Sequence, residues 1–260
     1  MLSDIEMIIM ENAITSDLYT DPSSPANVSE NHDVLIVGPG AIDIDLNGYK
    51  GPVPMDANLI YFAQYVEEQG SLTALDKPDT ESNHLRWDGG MSDLKGVINY
   101  LGYLRNKGFE LIDVNPIERD LIAETGSYSI GGSNNDRFDR LIEHGTWRWI
   151  SPVSQQLDIV KERFKMLARS YFNLLKDHGN AIIHFNSKEL TETDDGYLEG
   201  LIGAMQAQFT SVDCFLVNEG YHIKNGDLAA EYMQAFKREI NGGHIITSLY
   251  GGGGLLVVQK

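Results

Sequence analysis

A chain of 260 residues with 42% hydrophobic content is long enough to fill one core, and its composition is neither fibrous, low in complexity nor disordered throughout. Its 38 acidic residues against 20 lysines and arginines give a formal net charge of -18, a field that repels polyanions and so disfavours DNA, RNA and anionic membranes as main partners. A small molecule, a basic protein or a cationic amine is compatible with that charge, as is an acidic surface that serves solubility alone.

One cysteine, Cys214, excludes an internal disulfide and a cysteine-based zinc cluster, as a reducing compartment favours. It lies in the apolar run Val212-Asp-Cys-Phe-Leu-Val217 and reads as a buried structural thiol. No apolar run reaches the roughly 20 residues that span a bilayer, and Met1-Leu-Ser-Asp-Ile-Glu places acids where a signal peptide carries positive charge. The expectation is a soluble, cytoplasmic protein.

In chain order, Ile5, Ile8 and Ile9 share a helical face within residues 3–19, and Thr20-Asp-Pro-Ser-Ser-Pro-Ala breaks the pattern. Residues 1–30 are therefore expected to be a helical extension or cap, and 31–260 the main domain. Asp33-Val-Leu-Ile-Val-Gly38-Pro-Gly40 is an apolar run that breaks into Gly-x-Gly, as a buried parallel strand does where it meets a nucleotide-like ligand. The segment from Ile42 to Pro54 is too rich in glycine and proline for a helix, and it delays the first one, predicted from Asp56 through Glu68 with Gly70 behind it. Ser71-Leu-Thr-Ala-Leu-Asp76 reads as a second strand ending in an acid, where such folds hold ribose hydroxyls.

The alternation continues with a helix from Ser92 to Lys107 stopped by Gly108, and a strand from Phe109 to Val114. Helix-sized segments between short apolar strands imply parallel pairing with crossovers. A fourth strand is predicted at Arg137-Phe-Asp-Arg-Leu-Ile142, a long helix from Leu157 to Lys176, a turn at Asp177-His-Gly179-Asn and a fifth strand from Asn180 to Phe185. Beyond these come a helix from about Gly196 to Phe209, a strand at Val212 to Val217, a helix from Leu228 to Ile240, and a closing strand from Leu255 to Gln259. The two late strands suit an antiparallel pair at the sheet edge.

The order of these elements resembles the class I S-adenosylmethionine-dependent methyltransferase family over roughly residues 30–260. The landmarks are Val34-Leu-Ile-Val-Gly38-Pro-Gly40, Asp76, Asp113-Val114, Phe138-Asp-Arg-Leu-Ile142, the junction Leu174 to Ile183, and Gly254-Leu-Leu-Val-Val258. The resemblance implies an α/β three-layer sandwich around a mostly parallel seven-stranded sheet whose last strand is antiparallel. It implies S-adenosyl-L-methionine as cofactor, with Gly38, Pro39 and Gly40 under the methionine part and ribose, Asp76 on the ribose hydroxyls, and Asp113 and Val114 on the adenine. Two positions depart from the family pattern: Ile36 stands where an acid is usual, and Ile42 where a third glycine is usual. Asp43 and Asp45 then read as a replacement carboxylate, a solvated loop pair, or an Asp-x-Asp metal ligand, for which no further ligand cluster of good spacing is evident; no metal is expected.

After the fourth strand stands Glu143-His144-Gly-Thr-Trp147-Arg-Trp149. Glu143 or His144 suits removal of a proton from an acceptor oxygen or nitrogen, and the tryptophans suit an apolar or cationic pocket wall. Equally, the tryptophans pack the next helix and Glu143 pairs with Arg140 or Arg148. His184 reads as a core histidine, His222 as a loop residue, and Gly251 to Gly254 as a flexible turn. The leading expectation is methyl transfer to a small-molecule or protein acceptor. Its alternatives are a nicotinamide or flavin oxidoreductase, opposed by the absent third glycine, an aminopropyl-transfer variant, and a non-catalytic binding relative.

Overall fold

In the computed structural model, the residues described are 32–46, 49–54, 59, 62–63, 70–76, 94–118, 136–144, 157–186, 195–216, 221–223 and 253–260. They belong to two compact units, Met1–Leu121 and Ile122–Lys260. The predicted N-terminal helix, the helix at 228–240 and the Trp147-Arg-Trp149 segment lie outside the described residues.

The first unit contains strand β1 (Asp33–Val37), the strands β2 (Ala41–Leu46) and β3 (Tyr49–Pro54), β4 (Ser71–Asp76), helix α1 (Leu94–Asn106) and β5 (Val114–Glu118). β1 pairs in parallel with β4, Val34 level with Leu72 and Val37 with Leu75, and β4 pairs in parallel with β5. Four successive side chains of β1, Val34 to Val37, have no exposed surface. A strand apolar on both faces is what a covered parallel sheet requires. At the first unit's outer strand, β5, only Val114 is buried, and Pro116, which has no N–H to give, is tolerated there because an outer edge asks for no donor.

Helix α1 buries Leu94, Val97, Leu101 and Leu104, a stripe at helical spacing. It stops as the sequence predicts. Gly108 takes φ 94°, its N–H donates to the Arg105 carbonyl and that of Phe109 to Leu104, which together form the Schellman arrangement that satisfies the last carbonyls. Of the predicted helix from Asp56 to Glu68, the three described residues Leu59, Phe62 and Ala63 are helical and fully buried, at i, i+3 and i+4.

The structure corrects two readings in this unit. The Gly- and Pro-rich segment after the first turn is not a loop: β2 and β3 form an antiparallel hairpin, Leu46 level with Tyr49 and Ala41 with Pro54. Tyr49 anchors it, its ring 4.8 Å from that of Tyr100 and 4.9 Å from that of Tyr103 on α1. The third strand runs not from Phe109 to Val114 but from Val114 to Glu118. Residues 111–113 are held otherwise: the Arg105 guanidinium donates to the carbonyls of Leu111 and Ile112, and the Ile112 N–H donates to Ala63. Those backbone groups are spent before a ladder can use them.

The second unit contains β6 (Phe138–His144), α2 (Leu157–Leu174), β7 (Leu175–Asn186), α3 (Asp195–Gln208), β8 (Ser211–Leu216), β9 (Tyr221–Ile223) and β10 (Gly253–Gln259). β6 and β7 are parallel. β10 lies between β7 and β8, antiparallel to both, and the short β9 extends the sheet beyond β8. Helix α2 buries Val160, Phe164, Leu167, Ala168, Tyr171 and Leu174, and packs on α3 where Gly200 admits Lys161 and Phe164. β1, β4, β5, β6, β7, β8 and β10 are the seven principal strands of the expected α/β class, with the last one antiparallel.

Here too the boundaries move. β6 runs on through Glu143 and His144, and α2 ends at Leu174. The turn expected at Asp177 to Asn180 is an irregularity within β7, where the register with β6 jumps from Phe138 level with Leu175 to Arg140 level with Asn180. His178 takes φ 66° there. A Cβ on Gly179 would stand 2.9 Å from the Lys176 carbonyl oxygen and 3.1 Å from that of Phe138, so the glycine is a steric necessity. His222, read as a loop residue, lies in β9 level with Phe215.

Candidate functional site

In an open α/β sheet, ligands gather beyond the carboxyl ends of the strands. In the first unit β1 ends in Gly38-Pro39-Gly40, with φ 63° at Gly38 and 59° at Gly40, conformations that side-chain-bearing residues rarely accept. The Gly38 N–H donates to the Leu75 carbonyl at 2.7 Å, and the Gly40 N–H donates to Asp76 Oδ2 at 3.1 Å. The turn therefore bends over the end of β4, and the half-buried Asp76 carboxylate closes it. Gly38, Pro39, Gly40 and Asp76, predicted separately from sequence, are brought together.

Asp113 and Val114 are not among them. Val114 is level with Leu72, four residues or about 13 Å back from the end of the strands. Asp113 precedes it, its side chain 95% exposed and paired with Arg105 at 3.0 Å. The residue level with Asp76 is Glu118, which is exposed and which the sequence reading missed. The dipeptide Asn115-Pro116 reads as a turn, yet an outer strand admits proline; the usable signal was the acid two residues beyond it.

At the corresponding end of the second unit, β6 finishes with Glu143 and His144. Glu143 has no exposed surface. It faces the α2 side: burial first, and then the Glu143 carboxylate, push the Tyr171 hydroxyl well above its ordinary pKa. His144 is level with His184 on β7. Asp43 and Asp45 fall on β2, level with Pro52 and Lys50. Among the described residues no group of three or more histidine, cysteine, aspartate or glutamate side chains is gathered as for a metal ion, and no helix is long and apolar enough to cross a membrane.

No protein-family profile and no curated protein sequence matches the chain. Among solved structures, it is similar to the N-methyltransferase NodS from Bradyrhizobium japonicum, at 9% identity and TM-score 0.48 over 100% of this chain and 99% of that one. It is also similar to a SAM-dependent methyltransferase from Archaeoglobus fulgidus, at 12% identity and TM-score 0.47 over 99% and 95%. A third is CrArsM, an arsenic(III) S-adenosylmethionine methyltransferase from Chlamydomonas reinhardtii, at 14% identity and TM-score 0.47 over 95% and 72%. By the pairings above, the strand order is β5-β4-β1 in one unit and β6-β7-β10-β8 in the other, with β10 reversed, the mostly parallel α/β arrangement with an antiparallel last strand expected from the sequence.

Proposed function

We propose that the protein binds S-adenosyl-L-methionine at the carboxyl ends of β1, β4 and β5 and transfers its methyl group to a small-molecule or protein nucleophile. The observation that carries the reading is the closed turn Gly38-Pro39-Gly40 on Asp76, with Glu118 level beside it. The donor set fits an adenosine. Side-chain-free backbone at Gly38 and Gly40 admits close approach, and the carboxylates of Asp76 and Glu118 are acceptors suited to hydroxyls and an exocyclic amine. In this reading Glu118 takes the adenine-side role first expected of Asp113.

When bound, the sulfonium supplies the electrophilic methyl group. The chain's own residues bind and orient it, and the negative field of the acidic protein attracts its cationic centre. On the acceptor side Glu143 is set aside, because a carboxylate without exposed surface does not meet a substrate's proton; its work is inside the unit, against Tyr171. His144, the last residue of β6, is the remaining group for proton removal.

Calorimetric titration with S-adenosylmethionine and S-adenosylhomocysteine, with NAD and FAD alongside, tests the reading. Micromolar binding of the first two alone is expected, weakened by Asp76→Asn and Glu118→Gln. Binding of a dinucleotide instead would move the chain to the oxidoreductases, and silence from all four would leave a methyltransferase-like scaffold without the donor.

A further inference from the structure

Helix α2 buries one face, and its outward face carries a charge order that is its own complement when reversed. Asp158, Glu162, Lys165 and Arg169 stand at i, i+4, i+7 and i+11 and are all exposed, a spacing that keeps them in one narrow stripe about 17 Å long. Along the helix the stripe runs acid, acid, base, base. We infer that α2 is a self-association surface, on which a second copy of this chain docks its own α2 antiparallel about a twofold axis at the level between Arg163 and Phe164. That axis sets Asp158 against the partner's Arg169 and Glu162 against the partner's Lys165, and symmetry supplies the reciprocal pairs.

Apolar exposure marks the same face. Among the described residues the large hydrophobic side chains left exposed are Leu157 and Ile159, at 36% and 47%, both in the first turn of α2. Ile159 shares one edge of the stripe with the half-buried Met166, seven residues on. The axis brings that edge onto its own copy, with Ile159 about 3 Å of helix rise from the level of the partner's Met166, so association removes apolar surface from water. Lys161 stands outside the stripe, its stem lying over Gly200 of α3. Within one copy Lys165 pairs with Glu162 at 2.6 Å, the two side chains 61% and 68% exposed. Such an exposed pair contributes little alone; across the axis two of them join into one four-charge cluster of alternating sign.

The charge order selects a second copy as the occupant. A polyanion laid on the stripe meets Asp158 and Glu162, and a polycation meets Lys165 and Arg169, each as like charge. Acids early and bases late also suit the helix dipole, which accounts for neither their symmetry about one level nor the exposed Ile159. A single helix pair falls short of the roughly 800 Å² per partner of a standard interface, so the dimer is weak and concentration-dependent. It rests on α2 alone and not on donor binding.

Sedimentation equilibrium of the full chain over a roughly hundredfold range of concentration is expected to show a monomer–dimer equilibrium. Asp158→Lys with Glu162→Lys makes the stripe wholly basic, and Lys165→Glu with Arg169→Glu makes it wholly acidic. Each double reversal is expected to weaken the dimer by roughly tenfold or more, and an equimolar mixture of the two is expected to restore it as a heterodimer. Restoration needs both chains folded, so it separates loss of the interface from loss of the helix. A wild-type chain that stays monomeric throughout, dimers that persist in both reversals, or reversals folded by circular dichroism that do not associate when mixed would each overturn the interface. Should either reversal unfold the chain, Asp158→Asn and Arg169→Gln, which remove the outer pairs without adding like charge, are expected to weaken the dimer about threefold each, and an unchanged dissociation constant would overturn it equally.

Discussion

Asp76 does two things with one carboxylate: it ends β4, and it accepts the Gly40 N–H. Replacing it separates the two. Asp76→Ala removes the acceptor and loosens the turn, and donor affinity is expected to fall by about 2 kcal/mol, roughly 30-fold. Asp76→Asn keeps an oxygen for Gly40 while removing the charge, so its intact stability with weakened binding, read by calorimetry and thermal melting, would assign the charge to the ligand rather than to the turn. Gly179 is a purely steric case. Its missing Cβ would meet two backbone carbonyls that cannot move without breaking the β6–β7 register. Gly179→Ala is therefore expected to cost roughly 2–3 kcal/mol in denaturant unfolding. Asp76 and the turn Gly38-Pro39-Gly40 that it closes were legible in the sequence, because a glycine pair after an apolar run and an acid at a strand end are local signals. Glu118 was not, since its meaning depends on where β5 starts, and that is decided by Arg105, six residues before the first carbonyl it holds.

At the scale of elements, α1, α2, α3 and the inner strands among the described residues matched the sequence to within a few residues, because their apolar periodicity is set by the faces they bury. The misses share a cause. The hairpin of β2 and β3 was hidden by a composition that reads as loop, although in the sequence Ile42, Ile44 and Leu46 alternate with Asp43 and Asp45 and are followed by Asn-Gly, a dipeptide that as a sequence signal favours hairpins. What makes the hairpin worth forming is the tyrosine contact with α1, a tertiary term that no local window contains. β9 is three residues long and owes its existence to β8. Helix propensity gives a cleaner prediction. A Cβ at Gly102 in α1 or at Gly203 in α3 would meet nothing within 4 Å, and neither glycine has the left-handed φ seen at Gly108. Gly102→Ala and Gly203→Ala should each stabilise by about 0.5–1 kcal/mol, a rise of about 2 °C in Tm for a chain this size, whereas Gly108→Ala, forced into a left-handed φ, should destabilise by about 1 kcal/mol.

For the whole molecule, charge was the sequence's clearest statement and fold order its next, because seven strands in sequence with their crossovers admit few topologies. Acceptor identity is not written at this level, since it depends on loops that carry no periodic or compositional signature. What the assembled units add is burial of groups that the sequence treats as ordinary. Tyr100 is packed between α1 and the hairpin, and burial first, then Tyr103 and Tyr49, raise its hydroxyl to about 12; Tyr171 is raised well above its usual value by burial and Glu143. In both, the folded state disfavours the phenolate that the unfolded chain forms near pH 10. Above that point the unfolded chain releases protons that the folded one retains, so stability is fully present below about pH 10 and falls as pH rises, for Tyr100 toward its folded value of about 12. Denaturant unfolding measured at stepped alkaline pH should show this decline, and Tyr100→Phe should flatten it, since the substitution removes the ionising group while keeping the ring that Tyr49 and Tyr103 contact. Should the decline persist unchanged in Tyr100→Phe, the alkaline loss belongs to Tyr171, whose hydroxyl burial and Glu143 raise, and Tyr171→Phe is then expected to remove it.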